Sequence, residues 1–164
     1  MIVALHGRGR VHVNVLVLLS VVLVFVQNEV GSRRVFREHL AAAFDPSWQG
    51  VLSWGWWFGV QGLTGFLIPV LCLLLVFKRR PAEIGLGLGD WKLALTLAAL
   101  YVPLVAIGTW VLSAGADFQS HYPHYAPAAF DWRFFWLYEV LFLFYWVGWE
   151  YLWRGFVLFG TART

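Results

Sequence analysis

From Trp48 to Phe77 the chain runs thirty residues without one charged side chain. A hydrocarbon slab about 30 Å thick is crossed by roughly 20 residues of α-helix, so this run can cross it with length to spare. Helix is the state it must take there. Lipid offers no partner to an unpaired N–H or C=O, and an open strand would leave a row of them unsatisfied. Three more apolar runs accompany it. The first extends from Val11 to about Gln27, polar near its start at His12 and Asn14. The third, Leu93 to about Ala116, is uncharged, and the fourth, about Trp132 to Phe159, carries Glu139, Glu150 and Arg154. The expected fold class is all-α: a polytopic helical membrane protein with about four transmembrane helices.

Composition agrees. Hydrophobic residues make up 60% of the 164 and charged residues 13%, against about 45–50% (glycine included) and about 25% in a soluble domain. A soluble globule of this size could not hide that much apolar surface, and a disordered chain needs the opposite balance. The 11 tryptophans suit a chain with many water–lipid boundaries, where an amphipathic ring satisfies both phases. The formal charge of +3 does not point to nucleic acid, because the basic residues lie in small groups between apolar runs and form no basic face. Cys72 is the lone cysteine, which excludes a disulfide or a cysteine-built metal site within the chain; it is expected to pack as a small hydrophobe. Arg8 and Arg10 give the first run the look of a signal peptide, but Gln27-Asn28-Glu29 follows it where a small-x-small cleavage site would stand. An uncleaved span is expected.

The basic residues set an orientation. Arg8, Arg10, Lys78, Arg79, Arg80, Lys92 and Arg163 fall on one side of the four runs, and Arg33, Arg34, Arg37 and Arg133 on the other. The larger group marks the cytoplasmic side, so the N-terminus is expected inside. The Trp54-Gly55-Trp56-Trp57 stretch looks interfacial, with the membrane core over Gly62–Phe77. Gly55 and Gly59 form a GxxxG, a candidate close-packing face. Pro69 and Pro103 are expected to kink their helices unless neighbours absorb the freed carbonyls. Gly85-Leu86-Gly87-Leu88-Gly89 lies between two spans rather than after a strand, so it reads as a turn and not a phosphate loop. His121 and His124 are separated by Pro123, which breaks any helix between them, and read as loop residues.

An ionisable side chain in a span costs at least about 2.5 kcal/mol, so the fourth run needs explaining. Glu150 and Arg154 are four apart, on one helix face, and form a natural ion pair. Glu139 lies eleven residues before Glu150, only ~20° away around the axis at about 100° per residue. The three make a polar stripe that must face protein or water. Two placements stay open. Trp132 to Glu150 spans ~27 Å of helix, which would put the pair at the interface, snorkelling toward the cytoplasm. Alternatively the pair stays deeper, in a polar chamber.

The stretch Trp149-Glu150-Tyr151-Leu152-Trp153-Arg154-Gly155-Phe156 resembles the first motif, Glu-Glu-x-x-x-Arg, of the CPBP intramembrane metalloproteases. That family includes CAAX prenyl endopeptidases and bacteriocin-processing and immunity proteins. Lys78-Arg79-Arg80-Pro81 with Ile84 to Trp91 is similar to the loop upstream of it in bacterial members. The resemblance covers roughly residues 78–164, giving 1–77 as N-terminal transmembrane helices and 78–164 as the start of a CPBP-like domain. It implies an incomplete CPBP-type bundle, a metalloendopeptidase of the bacterial plasma membrane, and a peptide or protein substrate, lipidated ones included. It implies Glu150 and Arg154 as catalytic-motif residues, and zinc or another divalent metal in the full-length form. In the family one motif glutamate acts as general base, and histidines in later Phe-x-x-x-His and His-x-x-x-Asn/Asp motifs hold the metal or water. Here Trp149 replaces the first glutamate, and no histidine follows His124. The chain as given is therefore expected to hold no cofactor and to be inactive as a protease, as the N-terminal part of a longer protein. A non-catalytic immunity or partner-binding protein of the same ancestry is the alternative.

Overall fold

The computed structural model describes residues 2–87, 89–122 and 124–162. Every regular element among them is helical. The long ones are α1 (Ile2–Glu29), α2 (Pro46–Val76), α3 (Trp91–Ser113) and α5 (Trp132–Glu150), with a short α4 (Ala116–His121) after α3. Helix α5 continues as a wider turn over Tyr151–Phe159 and a last turn Gly160–Ala162. The class is all-α, as expected. Among the described residues three helices, not four, are long and apolar enough to cross a membrane: His12–Glu29 within α1, all of α2 and all of α3. Helix α5 has the length but not the apolarity, because Arg133, Glu139, Glu150 and the polar-edged Trp and Tyr rings dilute its aliphatic content.

Aspartates start the later helices, each offering a carboxylate to an N–H that the first turn leaves unpaired. Asp45 accepts from Ser47 N–H at 2.9 Å, Asp90 from Leu93 N–H at 3.0 Å, and Asp131 from Arg133 N–H at 2.8 Å. Pro46 occupies the first turn of α2, where its missing N–H costs nothing. Pro69 does not end the helix. The backbone widens to i→i+5 bonding over Leu63–Leu67 before it and over Cys72–Val76 after it, an adjustment that accommodates the missing donor. Helix α3 passes through Pro103 as ordinary helix, and none of its residues is buried. Gly85 (φ 80°) and Gly89 (φ 52°) take left-handed conformations that favour glycine, as a turn requires.

The chain divides into two compact units, residues 1–87 with 136–164, and residues 88–135. In the second, α3 leads into α4, Phe118 stacks on Tyr122 (4.7 Å between centroids), and Tyr125 meets Phe134 edge-on. In the first, α1 runs antiparallel to α2: His12 meets Phe77 at one end, and Trp56 Nε1–H donates to the Val30 carbonyl at 2.8 Å at the other. Helices α2 and α5 run parallel. Trp54 and Phe58 meet Tyr138, Phe58 meets Phe142 and Tyr145, and Phe66 meets Tyr151, at centroid separations of 5.1–5.6 Å. Between these rings the two backbones touch. A Cβ on Gly148 would lie 2.6 Å from the Gln61 carbonyl oxygen and 2.8 Å from Gly62 Cα, and one on Gly65 would strike the Gly148 carbonyl. The close-packing face is thus Gly62/Gly65 against Gly148. Gly59 of the GxxxG faces open space, and Gly55 meets only Leu141. Below the crossing, Leu16, Leu23, Val70, Leu73, Ile84, Leu152 and Phe156 form the core.

Gly148→Val is expected to destabilise the bundle by about 1–3 kcal/mol, the cost of overpacking a close contact, while Gly59→Ala is neutral or mildly stabilising; thermal unfolding in detergent reads both. The hydrogen bonds at Asp45 and Asp131 hold both carboxyls below their ordinary value. A lowered folded value means stability is fully present above the unfolded value, about 4, and is lost as pH falls through the lower folded value. Amide protection in the first turns of α2 and α5, taken relative to the intrinsic exchange rate at each pH, should therefore fall only below about pH 4.

Candidate functional site

The expected ion pair forms. Arg154 Nε lies 2.8 Å from Glu150 Oε2, but the side chains are 78% and 45% exposed. The reason is helix rotation. Gly148, Tyr151, Leu152, Gly155 and Phe156 are buried and make the seam of α5 toward α1 and α2. Trp149, Trp153 and Arg154 are exposed on the other side, the two indoles meeting edge-on at 5.8 Å. The pair is not enclosed in a chamber of this chain. Glu139 is half-buried on the regular part of α5, so its small angular offset from Glu150 holds.

The helix changes pitch at this point. Glu150 is the last residue of regular α5, and the i→i+5 turn begins at Tyr151; such widened turns recur at functional sites. Gly155, the glycine after the motif arginine, is required here because a Cβ would enter the Tyr151 ring. Along the bundle Tyr151 is level with Phe66, and Gly160 with Leu73. Glu150 therefore lies roughly 15 Å, about ten residues of helical rise, short of the Val76 end of α2.

Among the described residues three buried side-chain polar atoms lack a hydrogen-bond partner: Gln27 Nε2, Gln61 Nε2 and the Tyr151 hydroxyl. Sequence reading passed over them. The signal was present for the two glutamines, amides set in apolar helices, but burial of the tyrosine follows only from the rotation of α5. Near the start of α2, Arg33 lies 3.7 Å from the Trp54 ring centroid and donates from Nε to Ser53 Oγ at 3.3 Å. Burial, and then Arg37, lower its affinity for a proton.

No group of three or more His, Cys, Asp or Glu that could hold a metal occurs among the described residues. His121 Nδ1 sits 2.9 Å from the Asp117 carbonyl oxygen, and the His124 ring lies 4.5 Å from that of Tyr122; Pro123 and Leu88 lie outside the described residues. The donor set present does not fit a divalent metal, which needs about three convergent ligands. No protein-family model, curated protein or solved structure matches the chain.

Depth and exposure together predict an asymmetric response to substitution. Arg154→Leu, which leaves Glu150 alone at that depth, is expected to cost about 2.5 kcal/mol or more. The double change Glu150→Leu with Arg154→Leu should recover most of that loss. Unfolding of the four variants after reconstitution reads the cycle. Costs all within about 0.5 kcal/mol are the signature of a water-exposed pair.

Proposed function

We propose that this chain is a multi-pass protein of a bacterial plasma membrane, N-terminus cytoplasmic, carrying the first motif of a CPBP-type intramembrane metallopeptidase. The observation that carries the reading is the Glu150–Arg154 ion pair, four residues apart on an aromatic helix, with Gly155 directly behind it where no larger residue fits. The helix directions support the membrane topology. Helix α1 is antiparallel to α2, and α2 is parallel to α5. The antiparallel pair puts Lys78, Arg79 and Arg80 at the same end as the start of α1, the side that the larger set of basic residues marks as cytoplasmic.

The activity that this motif implies is cleavage of peptides, lipidated ones included, at the cytoplasmic face; zinc or another divalent metal would supply an activated water for it, on ligands that the described residues do not provide. What this chain's own residues contribute is a carboxylate fixed in position by a guanidinium 2.8 Å away. Trp149 favours a second reading. Its indole cannot accept a proton, so the double glutamate of the motif is reduced to one, as suits a non-catalytic immunity or partner-binding protein of the same ancestry.

Reading the coding DNA beyond Thr164 separates the two. The peptidase reading expects Phe-x-x-x-His and His-x-x-x-Asn/Asp motifs in further apolar helices, and cleavage of a membrane-proximal peptide that Glu150→Ala abolishes. Absence of the motifs in every frame, or equal cleavage by wild type and variant, removes the peptidase.

A further inference from the structure

Helix α2 ends beside a cleft that neither reading uses. The chain leaves the helix through Lys78 in a left-handed conformation, φ 53°, a position where a non-glycine residue is uncommon. Arg79 N–H donates to the Leu73 carbonyl at 2.9 Å. The reversal gathers Lys78, Arg79 and Arg80 around one cleft of about 820 Å³, closed on the other side by His12 and Val15 of α1. Glu83 also lines it, but its carboxylate accepts the Arg80 backbone N–H at 3.0 Å. The walls therefore carry three cationic side chains against one anionic one. No ion pair among the described residues neutralises Lys78 or Arg80. The turn of α2 directly before the cluster exposes Leu75 and Val76, 69% and 71%, so apolar helix surface runs straight into the cationic cleft.

We propose that this cleft binds the phosphate of an anionic phospholipid headgroup, with the acyl chains lying along Leu75, Val76 and Val15. The charge asymmetry selects an anion. The continuous apolar surface below it selects a lipid over free phosphate, which would find partners on one side only. Basic pockets between membrane helices recognise headgroups in this way. The inference rests on the chain being membrane-embedded and is independent of the peptidase reading.

The test uses the full chain in phosphatidylcholine vesicles with spin-labelled phosphatidylglycerol or spin-labelled phosphatidylcholine as probe. Wild type is expected to immobilise phosphatidylglycerol with about tenfold preference, given the contribution of each basic side chain near an anionic headgroup. Lys78→Gln with Arg80→Gln should lose most of that preference, whereas Lys78→Arg with Arg80→Lys, and the charge-matched Arg34→Gln with Arg37→Gln, should keep it. Equal retention of the two lipids by wild type, or an equal loss in the Arg34/Arg37 variant, overturns the proposal. So does displacement of the label by inorganic phosphate at the concentration of the lipid. Should the glutamine variant fail to fold, salt titration of the wild type reads the same charges, and a preference indifferent to salt overturns the proposal equally.

Discussion

Contact between glycine backbones fixes the register of the helices in the larger unit. In lipid there is no hydrophobic force between helices, so association depends on how closely their backbones approach. Gly148 rests on the Gln61 carbonyl and Gly62, and Gly65 on the Gly148 carbonyl. Any side chain at Gly148 or Gly65 would push α2 and α5 apart. Aromatic pairs then fill the widening gap on either side, Trp54 and Phe58 with Tyr138 in one direction and Phe66 with Tyr151 in the other. The contact also fixes the rotation of α5. With Gly148 inward, the positions three, four, seven and eight residues on (Tyr151, Leu152, Gly155 and Phe156) are inward as well, and Glu150 and Arg154 must turn away.

That rotation limits where chemistry can be completed. The inner side of α5 is filled by Leu16, Leu73, Leu152 and Phe156, all almost fully buried. No ligand set can be added there without emptying the core. Any group that reaches Glu150 must approach from the outer side of α5, beside Trp149 and Trp153.

The helices were legible in the sequence because uncharged runs of that length have one solution in lipid. The ion pair was legible because four residues make one helical turn. The glycine face was not. Gly55 and Gly59 carry the familiar spacing but meet little, whereas Gly62 and Gly65 acquire their role from Gly148, more than eighty residues away. Local periodicity holds no trace of such a partner. The same gap hid whether the polar stripe would be enclosed, since burial on α5 depends on a rotation set by that distant contact. The fourth run has the length of a span, but its Arg133, Glu139 and Glu150 leave it short of the apolarity of the other three. Pro69 was expected to kink α2, and the widened turns around it absorb the missing donor instead.

Depth adds the last constraint. A surface ion pair is worth little and needs no explanation when it lies at a membrane edge. Glu150 is level with Phe66, and the cationic end of α2 begins only at Lys78, roughly 18 Å further along at the helical rise. That is more than half of a hydrocarbon slab about 30 Å thick. Both side chains are nonetheless open, Arg154 at 78% and Glu150 at 45% exposure. A carboxylate that is deep along the bundle, and yet open on its outer face, requires either water or a polar group brought by another helix. The peptidase reading supplies that group as a histidine-bearing helix, and the partner-binding reading as a second protein. In both readings the group that meets Glu150 approaches the exposed face of α5, because the opposite face is buried.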